Sequence, residues 1–348
     1  MVDDGRMMRA GANRRTKAAL TALTVAVATV VALLANSTTA TAEPAGPSRL
    51  DHIVKNSFKM WTMYVYSQSM NRVIQLDVLR PANTSAPRPT LYLLNGAGGG
   101  QVAESDWESQ TDIASFFGDK NVNVIIPRDG KYSYYTDWLK TDPKLGTNKW
   151  TTFLTKELPP IADAALDANG TNALGGLSMS GTSTLALAEH APKLYKAVSA
   201  FSGCAQTDTE PGQTYVRLVV ESRGGGSVEN MWGPIGGPLW RANDPTINAE
   251  KLRGIDLYIA SGSGLPGPYD TLSGPNIDGD PAVLANQIAV GGVLEGAINQ
   301  CTHALQTRLQ QLNIPATFHF NPTGTHSWGY WQADLHRWWP RLAASIGA

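Results

Sequence analysis

Charge is scarce in this chain. Of its 348 residues only 16% are Asp, Glu, Lys or Arg, and they sum to −1 at neutral pH. Such a balance gives no electrostatic basis for nucleic acid as a partner. Cysteine is scarcer still, with Cys204 and Cys301 alone. Outside the cytoplasm an even pair is a disulfide candidate, the alternative being two separate buried thiols. After residue 42 no uncharged apolar run is long enough to cross a bilayer. No internal repeat and no linker interrupts residues 49–348, so a single domain is the simpler organisation. What the chain does hold is 42% hydrophobic residues, 34 Gly, 21 Pro, ten Trp and eleven Tyr. That is the composition of a folded globular protein, not a disordered one.

The single long apolar run lies at the start. Arg6, Arg9, Arg14, Arg15 and Lys17 precede "AALTALTVAVATVVALLA" (18–35), and Ala40-Thr41-Ala42 closes the polar stretch after it. A basic region, an apolar region and a small-x-small site read as a secretory signal peptide over residues 1–42, cleaved after Ala42. Residues 43–48 then form a flexible mature terminus, and the product is exported, secreted or held at the cell envelope.

Residues 49–348 alternate between strand-like and helix-like runs. The period-two stretch 72–80 suits an early antiparallel strand. The apolar runs 89–96, 122–130, 171–178, 196–203, 254–264 and 316–322 suit strands, the continuous ones covered on both faces. Helical spacing marks 149–166, 179–191, 285–313 and 330–345. This alternation predicts an α/β fold, a mostly parallel sheet with helices on both faces. Residues 207–250, rich in Gly and Pro, look like an insertion above the sheet.

At 175–181 the chain reads "GGLSMSG", between the strand ending at 178 and the helix starting at 179. A serine at a strand-to-helix turn, with small residues two positions to either side, is the pattern of a nucleophile elbow, here Gly176, Ser178 and Ser180. The usual glycine two after the serine is Ser180, followed by Gly181. Serine needs a base. Of six histidines, His326 in "NPTGTHSWGYW" follows the last strand, where the chain order serine, acid, histidine puts the base. The acid must then lie between Ser178 and His326, past the strand at 254–264. Asp270, Asp278, Asp280 and Glu295 all qualify by spacing, and Glu295 stands apart because "VLEG" sets it among apolar neighbours. An oxyanion hole requires two backbone N–H groups. One belongs to Met179, the residue after the serine. The other belongs to the glycine-rich loop 95–100, which lacks the G-K-[ST] of a phosphate loop. Trp107, after that loop, and Trp328, two residues past the histidine, are candidate substrate contacts, or pack as core.

The chain resembles the secreted mycolyltransferases of mycolic-acid-containing actinobacteria, which include the fibronectin-binding mycobacterial antigens. The resemblance rests on "LYLLNGAGGG", "YYTDW", "KWTTFLTKELP", "GLSMSG", "NMWGP", "RANDP", "VLEG" and "GTHSWGYW", and runs from about residue 60 to the C-terminus. It implies an α/β-hydrolase fold. It implies Ser178 as nucleophile, His326 as base, Glu295 as acid, the Ala97 and Met179 N–H groups as oxyanion hole, and Ser327 and Trp328 beside the sugar. The implied reaction moves a mycolyl group between sugars, with trehalose mycolates and cell-wall glycan as substrates and no metal or organic cofactor. Two other classes remain open, a secreted esterase using water and a non-catalytic carbohydrate-binding member. The mycobacterial proteins carry Asp and Arg where this chain has Asn95 and Gly98, two further candidate substrate contacts. Its cysteines are not the mycobacterial pair, and fibronectin binding does not carry over.

Overall fold

The computed structural model describes residues 46–102 and 106–348, so the signal-peptide reading lies outside the described residues. Residues 46–348 hold a nine-stranded sheet in the order β1-β2-β3-β5-β4-β6-β7-β8-β9. Its strands are β1 (Arg49–Lys55), β2 (Met60–Ser67), β3 (Arg72–Leu79), β4 (Arg88–Leu94), β5 (Asn123–Pro127), β6 (Ala168–Leu177), β7 (Tyr195–Phe201), β8 (Asp256–Ser261) and β9 (Thr317–Phe320). β1, β2, β3 and β5 pair antiparallel in turn. From β5 through β4 to β9 every pairing is parallel.

The apolar strands are continuous because both faces are covered. In β4, Leu91 and Leu93 enter one core while Tyr92 and Leu94 enter the other. β8 divides likewise, with Leu257 and Ile259 on one face and Tyr258 and Ala260 on the other. One core takes the helices Leu158–Leu166, Met179–His190 and Gly292–Gln311. The second takes Trp107, Phe117 and the C-terminal helix Trp328–Ile346 through Trp331, Leu335, Trp338 and Leu342. This is the α/β-hydrolase architecture.

Several boundaries differ from those read in the sequence. The strand expected over 122–130 stops at Pro127, and Gly130 at φ +93° turns the chain away. The expected helix 149–166 contains a π turn at Phe153–Glu157. The helix expected from 285 starts at Pro281, because the Asp280 side chain caps it by accepting from the Ala282 and Val283 N–H groups. β1 and β2 were not anticipated. β1 is an edge strand with nearly every residue exposed, so it carries no apolar alternation to read. Residues 207–250 form short helical turns, among them Glu210–Arg217, Leu218–Arg223 and Val228–Trp232.

Candidate active site

β6 lies between β4 and β7, so its C-terminal end opens at the middle of the parallel sheet. Ser178 stands there with φ 56° and ψ −124°, a conformation that costs a non-glycine residue roughly 1–3 kcal/mol. The surroundings hold it in place. The Ser178 N–H donates to the Phe201 carbonyl at 2.8 Å. A Cβ on Gly176 would lie 2.9 Å from the Ser180 carbonyl oxygen, and one on Gly181 2.8 Å from that of Phe201. Ser180, in place of the usual glycine, is fully buried. Its hydroxyl accepts from the Leu177 N–H at 2.9 Å and lies within hydrogen-bond reach of the Leu177 carbonyl at 3.0 Å and the Leu94 carbonyl at 3.1 Å. The departure from glycine therefore ties the elbow to β4.

The Ser178 hydroxyl makes no cap bond to its own helix and meets His326 Nε2 at 2.8 Å. On the far side of the ring, His326 Nδ1 lies 2.7 Å from Glu295 Oε2. Glu295 is fully buried near the start of Gly292–Gln311, a helix that continues without a break from the turns beginning at Pro281. Its other oxygen accepts from the Ser202 hydroxyl and from the Gly262 N–H, each at 2.7 Å. Ser202 is itself fixed by the Trp331 indole N–H at 2.9 Å. A carboxylate on Nδ1 selects the tautomer that leaves Nε2 free to accept the serine proton.

The remaining carboxylates take other places. Asp278 and Asp280 are exposed. Asp270 is buried and reaches Thr325, next to the histidine, rather than the imidazole itself.

Ala97 and Met179 line the same cleft as Ser178 and His326. Met179 opens the elbow helix, so its N–H has no carbonyl one turn behind it. The Ala97 carbonyl accepts from the Tyr132 N–H at 2.8 Å, while its own N–H has no partner among the described residues. The loop beneath is sterically set: a Cβ on Gly99, at φ +62°, would stand 2.3 Å from the Lys131 nitrogen. Tyr132, Tyr134 and Tyr135 all adopt positive φ just below it. Tyr134 enters the cleft wall, and burial holds its phenol well above the ordinary tyrosine value.

The cleft is open to solvent above Ser178 and His326. Beyond the serine its walls are mostly apolar, including Tyr215, Leu218, Val219, Leu294 and Ile298. Cys204 and Cys301 form a disulfide with their Cα atoms 5.1 Å apart. It joins the chain just past β7 to the helix that carries Glu295, and Cys204 also faces the cleft.

Two expected sugar contacts are corrected. Asn95 is fully buried, donating from Nδ2 to the Pro127 carbonyl at 3.0 Å and accepting from the Trp107 N–H at 3.1 Å. Trp107 is fully buried too, its indole N–H on the Leu94 carbonyl at 3.0 Å. Both brace the glycine-rich loop and neither lines the cleft. Gly98, Ser327 and Trp328 lie outside the cleft lining. Trp328 is half-buried, edge-on to Trp107 at 5.5 Å and to Trp331 at 5.2 Å. Ser202, Tyr134 and Tyr215 were not assigned roles from sequence, and Asp270 was named only as one of four candidate acids. The positive φ of Ser202 and Tyr134 is invisible there, and an aspartate in a Gly- and Pro-rich loop reads as a turn former.

A sequence family described as "Putative esterase" matches residues 67–342. The diacylglycerol acyltransferase/mycolyltransferase Ag85A of Mycobacterium leprae is 32% identical over 295 residues, covering 82% of this chain and 83% of that protein. Ag85B of Mycobacterium avium is 31% identical over the same length. Among solved structures, Mycobacterium tuberculosis MPT51 (FbpC1) superposes with a TM-score of 0.65 at 23% identity, covering 80% of this chain and 96% of its own. A Staphylococcus aureus fluorophosphonate-binding serine hydrolase, FphF, gives 0.58 at 18% identity, covering 86% and 99%. At these identities the two structures speak for the fold.

Proposed function

This chain belongs to the putative-esterase family and, within it, to the diacylglycerol acyltransferase/mycolyltransferases, and from that premise we propose that it moves a mycolyl group from trehalose monomycolate to a sugar hydroxyl through a seryl acyl-enzyme. The observation that carries the reading is the unbroken chain of hydrogen bonds from Ser178 through His326 to Glu295, opening onto an apolar-walled cleft.

In the first half-reaction Ser178 Oγ attacks the ester carbonyl as His326 Nε2 takes its proton. Glu295 stabilises the imidazolium that results. The Ala97 and Met179 N–H groups receive the negative charge on the former carbonyl oxygen. On collapse, His326 returns the proton to the departing trehalose oxygen and the acyl group stays on Ser178. A second sugar hydroxyl, on another trehalose monomycolate or on cell-wall arabinan, then gives its proton to His326 and attacks the acyl-enzyme. Serine leaves with that proton. Side chains and backbone donors alone balance both halves. The apolar wall of Leu218, Val219, Leu294 and Ile298 suits an alkyl chain. Residues 49–348 act as one catalytic domain, exported after cleavage near Ala42 to the envelope where such glycolipids lie. Fibronectin binding forms no part of this reading.

Incubation of the purified protein with trehalose monomycolate tests it. Trehalose dimycolate and free trehalose should appear in equal amounts with ping-pong kinetics, and Ser178→Ala should give neither. Free mycolic acid and trehalose with no dimycolate, even with acceptor in excess, would overturn transfer in favour of hydrolysis.

A further inference from the structure

We propose that Asp270 is a positioning residue, gripping the chain on both sides of His326 so that Nε2 meets the serine hydroxyl. The proposal rests on the reading of His326 as the base.

Four donors converge on this buried carboxylate. Oδ1 accepts from the Thr325 hydroxyl at 2.6 Å and from Gln287 Nε2 at 2.7 Å. Oδ2 accepts from the Tyr330 hydroxyl at 2.6 Å and from the Gly267 N–H at 2.8 Å. Thr325 immediately precedes the histidine, and Tyr330 follows it in the first turn of the C-terminal helix. Burial first, and then the hydrogen bond to Asp270, hold the Tyr330 phenol well above its ordinary value, so its hydroxyl remains a donor. Gln287 extends the grip to the segment just before Glu295, where the Gly291 carbonyl accepts the His326 N–H at 3.1 Å. The loop has little room to settle elsewhere. Gly324 bonds through its carbonyl to the Gly264 N–H at 2.8 Å and through its N–H to the Leu265 carbonyl at 2.7 Å. A Cβ on Gly262 would stand 2.5 Å from the Gly324 oxygen.

The chemistry is specific to a carboxylate, which offers two acceptor oxygens and no donor. An amide of the same shape would aim its NH₂ at one pair of donors, leaving those groups opposed and unpaired. Glu295 sets the tautomer and tilt of the ring, whereas Asp270 sets where the ring's backbone sits. The second matters because a displacement of about 1 Å can cost roughly 10²-fold in rate.

Two substitutions of Thr325 separate positioning from general support. Thr325→Val removes the hydroxyl at nearly constant shape, and Thr325→Ser restores it. Turnover of a p-nitrophenyl ester should fall about 10- to 100-fold in kcat for Thr325→Val, with KM within about twofold of wild type, and Thr325→Ser should keep most of the rate. Asp270→Asn should match or exceed the loss in Thr325→Val. If it does not fold, the threonine pair decides. Thr325→Val with a wild-type kcat and only a lowered melting temperature would overturn the proposal. Ser178→Ala reports on the reading of the site alone: turnover that survives it sinks that reading, whatever the threonine variants do.

Discussion

Glu295 shows how one side chain's surroundings set its role. It is fully buried, and both oxygens are engaged: Oε2 with the imidazole, Oε1 with the Ser202 hydroxyl and the Gly262 N–H. Every partner of Oε1 is a donor. In Glu295→Gln the side-chain NH₂ must face either those two donors or the imidazole Nδ1. In the first arrangement a buried donor pair is left unmatched. In the second the ring is driven to the tautomer with its proton on Nε2, where it can no longer accept from Ser178. The fold survives, because volume and most contacts are kept. We expect kcat to fall by about 10⁴-fold, by analogy with the corresponding change in other triads. Asp278→Asn and Asp280→Asn alter exposed side chains and should leave turnover near wild type. Steady-state kinetics on the three variants, with circular dichroism to verify folding, check the assignment. Near-normal turnover in Glu295→Gln would refute it.

At the scale of elements, the site depends on how the helix Gly292–Gln311 is attached. Its first turn carries Glu295, and Leu305 and Leu309 anchor its far half in the core. Between them Ile298 and Cys301 form a small separate cluster with Cys204, Tyr215 and Leu294 packed in. The Cys204–Cys301 disulfide therefore fastens the helix where it packs outside the two main cores. It links positions 97 residues apart. Closing so long a loop in the unfolded chain is worth about 4–5 kcal/mol on chain-entropy grounds, less any native strain. Reduction should lower the melting temperature by several degrees. It should also lower kcat before global unfolding, because the acid-bearing turn loosens first. Thermal scans and initial rates with and without dithiothreitol, and on Cys204→Ala/Cys301→Ala, measure both. Unchanged kcat in the reduced, folded protein would restrict the disulfide to stability.

At the scale of the whole molecule, the elbow helix buries a group that binds no substrate. Glu189 is 3% exposed, and neither carboxyl oxygen has a hydrogen-bond partner. Burial raises its pKa well above the usual carboxylate value. Lys251 opposes the shift and Asp244 adds to it. The folded state thus keeps a proton that the unfolded chain gives up. Stability from this group is complete below the ordinary carboxylate range. It is lost progressively as pH rises from that range up through the raised value. Glu189→Gln removes the titration while keeping the shape. It should leave the denaturation midpoint nearly unchanged at about pH 4 and raise it at pH 7.5 relative to wild type, as urea titrations at the two pH values would show. A variant equally or less stable than wild type at pH 7.5 contradicts this account.

What the sequence by itself determined was local. Strand, tight turn and helix around Ser178 follow from residues adjacent in the chain: small neighbours that permit the turn, an apolar run before it and helical spacing after it. The parallel sheet followed from alternating apolar runs, and the histidine loop from its place after the last of them. The edge strand β1 escaped because an element exposed on nearly every residue leaves no apolar pattern. Only the tertiary structure decided the rest. Four carboxylates satisfied the same spacing, and the packing of Gly292–Gln311 against β8 separated the one that meets His326 from the one that grips Thr325. Asn95 and Trp107 look like ligand contacts beside a glycine-rich loop, yet both are fully buried against it. Ser202 orients the acid from the end of a neighbouring strand, 93 residues before Glu295. The physical reason is the same throughout. Backbone geometry and side-chain period are set by near neighbours, whereas burial and hydrogen-bond partners are set by which strands lie side by side.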